Sequence, residues 1–126
     1  VRGRVLDVVT EASASLGFEP RIEFDGAVET VDERILEQLL PSLREALTNV
    51  AKHAKASNIR VSLAVGEEVL LEVIDDGIGV PQEVHGGNGV ANVARRAEKL
   101  GGCAVLAPVA SGSGSRFEWK VPATLT

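Results

Sequence analysis

Cysteine occurs once, at position 103, so no internal disulfide can form. With only His53 and His85 beside it, the chain has too few ligands for a structural zinc site. Cys103 reads as a small core residue. Aromatic side chains are also scarce: Phe18, Phe24, Phe117 and Trp119, with no tyrosine. The core must therefore be aliphatic, built from Val, Leu, Ile and Ala. There is no basic block. Thirteen basic against eighteen acidic side chains leave a net charge of −5, which argues against a nucleic-acid surface. Any polyanionic ligand held here needs a counter-ion or local cations. No apolar run approaches membrane-spanning length, and no basic-plus-apolar signal segment opens the chain. The expectation is a cytoplasmic module that makes no membrane contact of its own.

What is present is ordinary for a soluble globular chain: 126 residues, 44% hydrophobic and 25% charged. That length suits one domain over residues 1–126, burying roughly two-thirds of its unfolded surface. Good patterning at both ends suggests a piece of a longer protein. Val5, Val8, Val9, Ala12 and Leu16 recur at helical spacing over residues 2–16, and Gly17 follows as a stop. Residues 21–25 alternate as a strand, and 26–30 connect. A long helical pattern runs from Val31 to about Ala54, with Leu36, Leu39, Leu40, Leu43, Leu47 and Val50 on one stripe. Pro41 predicts a kink there, or two helices with Pro41 in the first turn of the second.

Alternation at Ile59, Val61, Leu63 and Val65 predicts a strand. A tight turn at Gly66 then leads into a hairpin partner over 69–75. After a loop rich in glycine, Ala91, Val93, Ala94, Ala97 and Leu100 mark a helix ending at Gly101-Gly102. Residues 104–106 and 116–121 are further strands, the last preceded by a flexible Gly/Ser loop over Ser111 to Ser115. The order of elements makes an α+β two-layer sandwich, with helices on one face of a mixed sheet.

Four stretches carry possible chemistry. The strand at Val69 ends on Asp75 and Asp76 and is followed by Gly77 and Gly79, where missing Cβ atoms admit a flat ligand. A carboxylate at that lip can accept hydrogen bonds from an amino group; the plainer reading is a turn with solvated aspartates. On the long helix, Glu45, Asn49, Lys52 and His53 share a face. A carboxylate and an amide one turn apart are hard oxygen ligands suited to Mg²⁺, and a lysine beyond them can meet phosphate. The same pattern also suits a solvated helix face. Gly86-Gly87-Asn88-Gly89 opens a helix and offers free N–H groups to an anion, or is simply a loop with an N-cap. Ser115, after Gly112-Ser113-Gly114, can hydrogen-bond a carboxylate or a phosphate. Gly77-Ile78-Gly79 lacks the third glycine of a dinucleotide fingerprint, and no glycine precedes a lysine as a Walker loop requires.

In this order, the pieces resemble the GHKL ATP-binding fold (the Bergerat fold) of sensor histidine kinases, type II topoisomerases, Hsp90 and MutL. Glu45-Ala-Leu-Thr-Asn49-Val-Ala-Lys52-His53 is similar to the N box, Asp75-Asp76-Gly77-Ile78-Gly79 to the G1 box, and Gly87-Asn88-Gly89-Val90 to the G2 box. The wording of residues 44–54 and 91–102 is similar to NarL-type histidine kinases and, among them, to the mycobacterial DevS/DosT oxygen-sensing kinases. The likeness covers nearly the whole chain. It implies that Asp75 accepts the adenine amino group, that Gly77 and Gly79 let base and ribose pack close, and that Asn49 holds Mg²⁺ on the phosphates. It further implies Glu45 near the γ-phosphate, as a metal ligand or polarising base, Lys52 on phosphate and His53 on the nucleoside. Gly87 and Gly89 would offer N–H groups, and Ser115 would support Asp75. Two departures stand out. Seven residues separate Gly79 from Gly87, a short ATP lid without an F box, and Val90 replaces the family's usual leucine.

The resemblance implies the ATP-binding catalytic domain of a two-component sensor histidine kinase, a phosphotransferase using ATP and Mg²⁺. Its partners would be the dimerisation domain of the same kinase, which supplies the acceptor histidine from outside this chain, and a response regulator. The parent protein would be a homodimer. His53, inside the nucleotide-binding helix, is a poor acceptor. The alternatives are an anti-sigma-factor serine kinase of the same fold and a nucleotide-holding scaffold without turnover.

Overall fold

The valines at helical spacing near the start lie on one side of α1 (Arg2–Leu16), where Val5, Val8 and Val9 are buried. The structure, a computed structural model, describes residues 2–53, 58–77, 88–108 and 114–123. Gly17 ends α1 as expected, with φ of 83° and its N–H donating to the Ser13 carbonyl at 2.9 Å. Strand β1 (Arg21–Gly26) follows, and the connection after it contains one 3₁₀ turn, Val28–Thr30. Helix α2 (Glu33–His53) begins two residues later than the apolar pattern suggests, because Asp32 caps it. The Asp32 carboxylate accepts the Arg34 N–H at 2.8 Å, two residues into the chain beyond it.

Pro41 does not divide α2 in two. The stripe of Leu36, Leu39, Leu43 and Leu47 is 0–2% exposed and runs past the proline on both sides. Burying such side chains stabilises the helix by about 1.5–3 kcal/mol each, which outweighs the roughly 3 kcal/mol cost of an interior proline.

β2 (Ile59–Val65) and β3 (Glu68–Asp75) form the expected antiparallel hairpin. Helix α3 (Asn88–Lys99) begins before the apolar positions that signalled it. It closes on a Schellman turn: the Gly102 N–H reaches the Ala97 carbonyl at 2.9 Å, and Gly101 takes φ of 82°. β4 (Cys103–Pro108) and β5 (Ser115–Pro122) complete a sheet of order β1-β2-β3-β5-β4. Among the described residues β1 and β2 pair in parallel and the other neighbours antiparallel. Ser115, expected in the Gly/Ser loop, is the first residue of β5, paired with Asp75.

One sheet face is apolar. Ile59, Val61 and Leu63, then Val69, Leu71 and Val73, then Phe117, Trp119 and Val121 are all buried there beneath the helices. α2 packs between α1 and α3 and lies against β3 and β5, while α3 also covers β4. This is the mixed sheet with helices on one side that the element order predicts.

Cys103 corrects a sequence expectation, because it is exposed. It opens the edge strand β4 opposite Lys120, on the open face of the sheet; its neighbour Ala104 packs on the core instead.

Candidate functional site

Strand parity decides which of the two aspartates turns inward. Counting in twos from Val69 through Leu71 and Val73 brings Asp75 to the helix-covered face, where it is 3% exposed. A carboxylate so placed needs partners, and among the described residues it has two. The Gly77 N–H donates to Oδ1 at 2.9 Å, and the Ser115 hydroxyl donates to Oδ2. Ser115 is itself 3% exposed and stands directly across the ladder from Asp75. A carboxylate oxygen accepts more than one hydrogen bond, so both keep capacity for a further donor.

Close approach of the two strands at this point requires a glycine. Gly114 has φ of 124°, and a Cβ there would stand 2.3 Å from the Asp75 carbonyl oxygen. Asp76 points the other way and is exposed. Its Oδ1 accepts the Asn58 backbone N–H at 2.8 Å and its Oδ2 the Asn58 side-chain amide at 3.3 Å, while its own N–H reaches the Asn58 carbonyl. The sequence reading missed this clamp. Its signal was an amide residue just ahead of β2, opposite an Asp at the end of β3.

On α2 the two faces separate as expected. Leu43, Leu47 and Val50 enter the core, whereas Glu45 and Asn49 are half-buried one turn apart. Neither side chain makes a hydrogen bond or ion pair among the described residues. α2, the helix bearing these two oxygen donors, packs on β3, the strand that ends at Asp75. Lys52 and His53 fall in the last turn of α2, and Gly89 and Val90 in the first turn of α3. Gly79, Gly87 and the short lid between them lie outside the described residues, as does Ala54. Among the described residues, no three His, Cys, Asp or Glu side chains converge as a metal-binding group.

The arrangement offers a buried, pre-oriented acceptor at a strand end and a pair of unengaged oxygen donors on a neighbouring helix. A third element, α3, starts at Asn88-Gly89 and packs on α2. Such a set can grip an amino-bearing ring at one end and a cation or anion at the other.

Comparison with known proteins gives consistent results. The family model described as histidine kinase-, DNA gyrase B-, and HSP90-like ATPase matches residues 32–125. The chain is similar to the sensor histidine kinase LiaS of Bacillus subtilis, at 34% identity over 104 residues, 80% of this chain and 29% of that protein. It is 35% identical to the nitrate/nitrite sensor protein NarX of Escherichia coli over 95 residues, 73% of this chain and 16% of NarX. The chain thus spans less than a third of these relatives. Its fold is similar to that of the ATP binding domain of PrrB from Mycobacterium tuberculosis, with a TM-score of 0.63, 20% identity, and coverage of 94% of this chain and 93% of that one.

Proposed function

This chain belongs to the histidine kinase-, DNA gyrase B-, and HSP90-like ATPase family, and from that membership we propose that it is the ATP-binding catalytic domain of a sensor histidine kinase, residues 1–126 forming one unit of a longer protein. The observation that carries the reading is the Asp75 carboxylate, held by Ser115 and Gly77 at the end of β3. Sensor kinases among the similar proteins favour a histidine acceptor over the serine of an anti-sigma-factor kinase. The shared wording at residues 44–54 and 91–102 supports a NarL-type kinase, and within that group the DevS/DosT-like oxygen or redox sensors.

In this reading Asp75 accepts the exocyclic amino group of adenine, and Gly77 and Gly79 admit the ring edge. Asn49, with Glu45, holds magnesium; the two side chains are hard oxygen donors without other partners. Magnesium, when bound, offsets the phosphate charge in a chain whose own net charge is −5. Lys52 and the N–H groups of Gly87 and Gly89 receive phosphate oxygens, His53 and Val90 pack beside the nucleoside, and Glu45 orients the group that attacks. Phosphoryl transfer of this kind is chiefly positioning, which is what these side chains supply. The acceptor histidine belongs to the dimerisation domain of the same kinase, with a response regulator downstream and a homodimeric parent. Among the described residues no helix is long and apolar enough to cross a membrane, and a cytoplasmic setting, where ATP is available, suits the site.

Calorimetric titration with Mg-ATP tests the proposal. The chain binds ATP with measurable heat and acquires no phosphohistidine of its own; Asn49→Ala loses the magnesium-dependent part of the affinity while melting at an unchanged temperature. An Asn49→Ala variant that binds Mg-ATP as the parent does would remove the metal assignment.

A further inference from the structure

α2 and α3 pack against one another, and a cleft of about 350 Å³ lies between the first half of α2 and the second half of α3. Glu37, Gln38 and Pro41 line one wall, and Arg95, Arg96 and Lys99 the other. Three cations thus stand on one wall, in a chain whose net charge is −5. None of the three makes an ion pair among the described residues, although Glu37 lines the same cleft. The Arg96 Nη1 atom is buried and has no hydrogen-bond acceptor. A guanidinium N–H withdrawn from water without a partner is costly, and a fork of such donors matches the oxygens of a carboxylate or phosphate.

We propose that this cleft is a second ligand site, which takes a small oxyanion (a phosphate or di-carboxylate group) with Arg96 as its main donor. Arg95 and Lys99 add charge at its mouth, and Gln38 offers an amide to a second ligand oxygen. The volume fits a small molecule, near the lower end of ligand cavities. The site is separate from the nucleotide seat: Arg96 lies about 10 Å along α3 from Gly89, and Gln38 about 16 Å along α2 from Asn49, at 1.5 Å per residue. The cleft and its cations are present whether or not the chain binds ATP.

The test follows arginine side-chain N–H resonances in the ¹⁵N-labelled 126-residue chain. Inorganic phosphate or malonate is added against chloride of equal ionic strength, first without nucleotide and then with a magnesium complex of a non-hydrolysable ATP analogue in excess. Saturable movement of the Arg96 signal is expected with at least one of them. Phosphate alone would identify a tetrahedral ligand and malonate alone a carboxylate. Followed at the Arg95 signal, Arg96→Gln should weaken the binding at least tenfold; followed at the Arg96 signal, Lys99→Gln should weaken it about threefold. Lys99 is exposed, so the second variant keeps the test open if the first fails to fold. An unsaturable response equal to that of chloride, or affinity unaltered in both variants, would overturn the proposal. So would displacement of the oxyanion by the nucleotide, since the cleft would then be an extension of the ATP site.

Discussion

The Asp75 carboxylate is fixed from both sides before any ligand arrives, by the Ser115 hydroxyl and the Gly77 N–H. Pre-orientation of this kind spares a bound ring the cost of ordering its acceptor. Ser115→Ala leaves Oδ2 with one fewer donor, and a hydrogen bond to a charged group is worth about 1.5–3 kcal/mol. ATP affinity measured by calorimetry should therefore fall roughly tenfold or more in Ser115→Ala, with the fold retained. Gly114→Ala should act differently: its Cβ would collide with the Asp75 carbonyl, so melting temperature should drop along with affinity. Residue type alone marked the lip at Asp75-Asp76-Gly77 but did not say which aspartate turns inward. Strand parity from Val69 settles it, whereas residues 103–107 are apolar throughout and carry no parity that would have placed Cys103 outside. The rule that cysteines are usually buried pointed the other way, and it fails on an edge strand with one open face.

At the level of elements, α2 is anchored at its start by Asp32. The Arg34 side chain, and then its backbone N–H, hold the Asp32 carboxyl below the ordinary carboxylate range. A lowered value means that the capping contribution is complete above the usual carboxylate pKa and is lost as pH falls through the lowered one. Asp32→Ala should therefore melt a few degrees lower than the parent at neutral pH, with the gap narrowing in acid. A gap of constant size from neutral pH to well below the carboxylate range would show that the charge is not what holds this end. Helix ends were legible where a glycine or a capping side chain stands, as at Gly17 and Gly101. Whether Pro41 only kinks α2 or divides it was left open. It depends on what the leucine stripe packs against, namely α1, α3 and the sheet, and local propensity carries no record of that.

Across the whole molecule, the sequence announced five strands and three helices in the correct order, but not their arrangement. β1 and β2 pair in parallel although α2 intervenes, and β5 inserts between β3 and β4. These are contacts between distant parts of the chain, invisible to periodicity. Their result is that β3, the strand ending at Asp75, has a neighbour on each side, whereas β1 and β4 are the two edges. Amide hydrogen exchange makes the consequence measurable: edge amides of β1 and β4 should swap deuterium through fraying, while those of β3 should wait for the entire sheet to come apart. Occupancy and global unfolding would then share a single transition on heating, because the seat proposed for the base is mounted on a strand held from both sides.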